Sequence, residues 1–183
     1  MAAIVNIKRW TGSSGAASGT IITSINTVAN ACDYHQETAS SSSDPIKIPN
    51  SGTNYSYWVS TRLATGAVGP TGTISNIRWY SDGSNGFGDG VDCKVAEASA
   101  YRQATGTQGV TGIELNTTNH TGIVEGPEDF TTYTSGSPLS VAGSCTTANT
   151  DFGNYVVYQL SAEAGASPGV TGQEAFTFLY DET

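Results

Sequence analysis

Positive charge is scarce in this chain. Seven Lys and Arg stand against 16 Asp and Glu, for a formal net charge of −9, and the only adjacent basic pair is Lys8-Arg9. A binder of phosphate backbones needs a basic footprint that displaces counterions, and an anionic bilayer draws polybasic segments. Two cations in an acidic field provide neither, so neither nucleic acid nor a membrane is expected as a partner. Cysteine and histidine are as sparse. Cys32, Cys93 and Cys145 lie far apart with no C-x-x-C pair, and His35 and His120 are the only imidazoles. Structural zinc takes four such ligands at close spacing, so no metal and no cofactor is expected. An odd number of dispersed cysteines speaks against a disulfide framework. They read as three reduced, buried small side chains, with one bridge plus one free thiol as the alternative.

Long apolar runs are missing too. The opening residues, Met1-Ala-Ala-Ile-Val-Asn-Ile-Lys8, lack the charged segment and apolar core of a signal peptide, and no stretch reaches transmembrane length. The expectation is a protein made in the cytoplasm without processing, for which the sequons at Asn54, Asn116 and Asn119 are by-products of a Ser/Thr-rich composition. Catalytic signatures are absent: there is no Gly-x-Ser-x-Gly elbow, no His-Glu-x-x-His and no phosphate-cradling glycine loop. A Ser-His-Asp relay built on His35 or His120 assembles only in space, and the plainer reading of both is a polar side chain on a surface loop. Carboxylate pairs drawn from Glu125, Glu128, Asp129 and Glu163 have little meaning in so acidic a chain. No enzyme is expected.

Aromatic residues, by contrast, are plentiful. Nine Tyr, five Phe and three Trp recur along the chain, so a 13% charged fraction reflects a Ser/Thr/Gly/Asn surface around a real core rather than disorder. A length of 183 residues suits one domain. Helical periodicity is not found, and period-two alternation is. Residues 4–10 alternate and are followed by the Gly/Ser-rich stretch 11–19, which predicts an N-terminal strand or arm (1–19) ahead of a single body (20–183). Further strands are predicted over residues 21–29, 55–64, 74–81, 91–95 with continuation at 101–104, 130–133, 139–141, 155–160 and 175–180. The run 55–64 places Tyr55, Tyr57, Val59, Thr61 and Leu63 on one face and is expected to pair with 74–81 as a hairpin. The fold class that follows is all-β: an antiparallel, jelly-roll-like β-sandwich with long Gly/Ser/Thr loops.

Three groups of residues are candidates for function. Ile4, Val5, Ile7, Lys8, Arg9 and Trp10 form an arm that is able to add to a neighbour's sheet. Asp82, Asn85, Asp89 and Asp92 put oxygen ligands on a Gly-rich loop of the kind calcium takes, although their spacing is not that of an EF-hand and the plainer reading is turn chemistry. Trp58 and Trp79 are candidates for a sugar-stacking platform, set against the tendency of strand aromatics to be core.

The segments Ile7-Lys-Arg-Trp-Thr-Gly, Asp44-Pro-Ile-Lys-Ile-Pro, Gly52-Thr-Asn-Tyr-Ser-Tyr-Trp58 and Asn76-Ile-Arg-Trp-Tyr-Ser-Asp-Gly83, with the ending Phe176-Thr-Phe-Leu-Tyr-Asp-Glu-Thr183, resemble a group of uncharacterised proteins encoded among tailed-phage structural genes. The resemblance implies a bacteriophage virion component, foremost a capsid decoration or cement protein. A tail or head-tail accessory protein comes next, and a carbohydrate-binding module is the alternative from outside the virion. The implied partners are the major capsid protein or other virion proteins, together with copies of itself in a homo-oligomer.

Overall fold

The computed structural model describes residues 2–12, 17–22, 46–104, 112–169 and 171–183. Ten strands run through them: Val5–Thr11 (β1), Ser18–Ile22 (β2), Thr53–Tyr55 (β3), Val59–Thr65 (β4), Ile74–Tyr80 (β5), Val91–Ala98 (β6), Ile123–Asp129 (β7), Leu139–Val141 (β8), Asp151–Glu163 (β9) and Thr177–Glu182 (β10). They form two antiparallel sheets, one in the order β2-β1-β4-β9-β6-β7 with β3 also on β9, the other in the order β10-β5-β8.

The 13-residue β9 organises the larger sheet: its first half pairs with β4, its second half with β3, and its opposite edge with β6. Its run from Tyr155 to Leu160 is buried throughout, because both faces of the sheet are covered. On the inner face Val59, Leu63, Val95 and Val156 meet Ile74, Ile77, Trp79, Leu139 and Val141 of the smaller sheet in one shared core. Trp79 is its hub, with the rings of Phe176, Tyr158 and Tyr133 at 5.1, 5.7 and 6.2 Å between centroids. Ile74 lies out of phase with Ile77 and Trp79, yet all three are buried. Asn76 between them adopts φ 51 where the register with β10 shifts, and this bulge resets the alternation.

A second cluster covers the outer face: Trp58, Ala96, Ala98, Tyr155 and Val157 under Ala104 and Leu115. Two buried glutamines hold that cover. The Gln103 side chain accepts from Trp58 N (3.0 Å) and donates to Trp58 O (2.9 Å), as a neighbouring strand would. Gln159 accepts from Leu115 N and donates to Ser56 O and Ile113 O.

Several expectations are corrected. The run 55–64 is two strands, since Gln103 and Gln159 take the backbone groups of Ser56 and Trp58 between them. It does not pair with 74–81: β4 has β1 and β9 on its two edges, and β5 lies in the other sheet between β10 and β8. Residues 130–133 form a 3-10 turn, Phe130–Thr132, because Asp129 caps it by accepting from the Thr131 amide (2.8 Å) and hydroxyl (2.6 Å). Residues 101–104 carry no strand. The predicted strand 21–29 is seen only at its start, within β2, and residues 23–29 lie outside the described residues.

Candidate functional site

The N-terminal strand is not a detached arm. β1 is hydrogen-bonded on one edge to β2 and on the other to β4, so neither edge is open to a neighbour. Val5 and Ile7 pack against the shared core, Arg9 is buried, and Lys8 forms an ion pair with Asp151 at 2.5 Å. Trp10 stands edge-on to Tyr155 at 5.5 Å. Ile4 is exposed, with its backbone bonded to Gly66 and Val68. The expected boundary after residue 19 falls inside β2. Alternation identified the strand correctly; of the Gly/Ser stretch that follows it, residues 13–16 lie outside the described residues and residues 18–19 belong to β2.

The candidate cation loop is folded on itself. Asp82 accepts from the Ser84 amide (2.9 Å), and Asn85 accepts from the Phe87 amide (3.0 Å) while donating to Val91 O (2.9 Å) and to Asp92 (3.2 Å). These are the self-bonded turns that Asp and Asn favour. Asp89 is exposed beside them, and among the described residues no three His, Cys, Asp or Glu side chains converge to hold a metal ion.

The sugar platform is excluded by burial: Trp58 is 3% exposed and Trp79 0%. Their rings are core, Trp79 between the two sheets and Trp58 in the outer cluster.

Of the imidazoles, His35 and its neighbour Cys32 lie outside the described residues. His120 is not on the surface. It is fully buried against Trp58, with ring centroids 4.9 Å apart, and neither ring nitrogen has a hydrogen-bond partner. Burial, helped by the charge of Arg102, pulls its pKa down to about 4. Cys93 is buried and its thiol is pushed far up, first by that burial and then by Asp129, so it is no nucleophile. Cys145 is a free, buried thiol.

No family model, curated protein or solved structure matches this chain. Its chemistry has to be read from its own groups. A shallow cleft of about 340 Å³ includes Arg62, Asp151 and Asn154 in its lining, but each is engaged within the protein. Arg62 donates to Gly153 O (2.6 Å) and lies over the Tyr155 ring at 5.1 Å, Asp151 holds Lys8, and Asn154 donates to Glu97 (2.8 Å). Glu97, which with Glu174 is buried among the described residues, also accepts from the Ala142 amide at 2.7 Å. It thereby ties β6 to β9 and to the chain leaving β8. Glu125 stands directly across from it on β7, and its pKa is raised, first by burial and then by the charge of Glu97. Glu97→Ala leaves two donors unpaired and is expected to cost about 2 kcal/mol, read as a lowered urea midpoint with an unchanged slope.

What the surface does offer is strand edges. The exposed aliphatic side chains within strands are Ile21 (50%), Val124 (61%) and Leu179 (43%), on β2, β7 and β10, each an edge strand. Of these, sequence alternation had marked Ile21 and Leu179. β7 was hidden by Gly126-Pro127 and its acids, which read as a loop. Nothing local marked Gln103, whereas Gln159, one polar residue in a buried apolar run, carried a faint signal.

Proposed function

We propose that this chain is a non-enzymatic structural protein of a tailed-phage virion, a jelly-roll-like sandwich that decorates or cements the capsid shell by binding the major capsid protein and neighbouring copies. The reading rests on the quoted resemblance. The observation that carries it furthest is that Ile21, Val124 and Leu179, three of the five large exposed aliphatics among the described residues, stand on edge strands rather than around the cleft. Edge strands are where β-proteins meet other chains, through backbone hydrogen bonds with side chains setting specificity. Arg62, Asp151 and Asn154 of the shallow cleft are each engaged within the protein, which fits a body with no reaction to perform.

A component of this kind is made in the host cytoplasm and ends in the particle. Quantitative mass spectrometry of gradient-purified virions is expected to find the chain in fixed proportion to the major capsid protein. Its confinement to the soluble lysate, with none in particles, contradicts the proposal.

A further inference from the structure

Among the described residues, strand edges are open on β2, β3, β7, β8 and β10. Most of these edges are protected against pairing with another chain. β7 is interrupted by Pro127 and two register shifts, and carries Glu125, Glu128 and Asp129. β10 has its own register shift, and carries Asp181 and Glu182. β3 and β8 are three residues each. β2 differs: Ser18-Gly-Thr-Ile-Ile has no charge and no proline, pairs with β1 in unbroken register, and displays the half-exposed Ile21.

We propose that β2 is a contact between copies of this chain, pairing antiparallel with β2 of a second copy about a two-fold axis at Thr20. This rests on the assembly reading above and names one of its contacts. Charge selects the occupant. Two molecules of net charge −9 repel wherever acidic edges meet, and β2 brings no acid to the junction. Among the described residues its nearest charges are Lys8, neutralised by Asp151, and the buried Arg9.

Shape agrees. Pairing about Thr20 sets Ser18 opposite Ile22 and Gly19 opposite Ile21. Gly19 is the position over which Trp10 lies: a Cβ there would stand 2.9 Å from Trp10 Cε2. Glycine within a strand weakens it, and often marks close approach of another group. Here the indole fills the missing side chain's place, and Ile21 of the second copy lands on it as a β-branched residue against an aromatic, a favourable cross-strand pair. A five-residue strand pair buries less than the ~1,200 Å² of a stable complex, so the dimer dissociates on dilution and gains strength where many copies are arrayed.

The test uses the full chain in solution. Sedimentation equilibrium is expected to show a concentration-dependent monomer–dimer equilibrium, lost in Ile21→Lys, with a cooperative thermal transition showing that the variant is folded. Under mild oxidation Thr20→Cys is expected to form a covalent dimer faster than Val124→Cys, an exposed position on β7. A monomer at every concentration, a dimer that survives Ile21→Lys, or equal crosslinking rates overturns the proposal. Shell binding does not enter this measurement, so failure of the β2 contact and failure of the virion reading are told apart.

Discussion

Deleting residues 1–12 is expected to unfold the domain rather than trim it. β1 lies between β2 and β4, and its loss strips Val5 and Ile7 from the core and Trp10 from the outer cluster. It also uncovers β4, where Ser60, Thr61 and Ala64 are buried. Apolar area bookkeeping together with the unpaired β4 backbone puts the cost at about 5 kcal/mol or more, against a typical total stability of ~5–15 kcal/mol. Circular dichroism of the truncated chain should show loss of the cooperative thermal transition. A sharp transition within a few degrees of the parent's would mean that β1 is a dispensable arm after all. The distinction bears on function, because an interior strand cannot be donated to a neighbour without dismantling its own sheet.

Acid is expected to destabilise the fold through His120. The folded pKa, about 4, lies below the ordinary value of ~6.5, so the unfolded chain takes up the proton first. The contribution is fully present above pH ~6.5, and is lost as the pH falls through the window down to about 4, by about 3 kcal/mol in all. The cause is geometric: burial against Trp58 disfavours an imidazolium at this position, and the charge of Arg102 adds to it. His120→Phe keeps a ring against Trp58 and removes the titration. Urea unfolding of both proteins at pH 7, 5 and 4 should show the parent losing more stability than the variant across that window, with carboxylate effects common to both. Parallel pH profiles would show that His120 is hydrated in the folded state.

Strand positions were legible in the sequence wherever one face is core. Val91, Cys93 and Val95 alternate because β6 turns that face to the other sheet, and the aromatics near the C-terminus do the same. Pairing was not legible. Alternation marks a strand's faces and not its edges, so nothing in Val59–Thr65 or Ile74–Tyr80 announces that they belong to different sheets. The outer cover was also beyond reach, since Gln103 and Gln159 act through backbone groups that any residue possesses. Burial of His120 follows from that cover: the turn it sits on is polar in sequence, Asn116-Thr-Thr-Asn, but it folds down onto Trp58. Of the candidate sites, the acidic loop and the two tryptophans had plainer readings in the sequence, and those readings describe their environments. The N-terminal segment was legible as a strand, but alternation could not show that both of its edges are paired.

With β1 paired on both edges, the proposed contact falls on the rim of the sheet rather than on an arm. The measurement that tests the central claim most directly is addition of the purified chain to phage particles lacking it, with bound and free protein separated by sedimentation. The account predicts saturable binding at a fixed ratio to the major capsid protein. Protein that stays in the supernatant at every concentration, or binds without saturation, would contradict it.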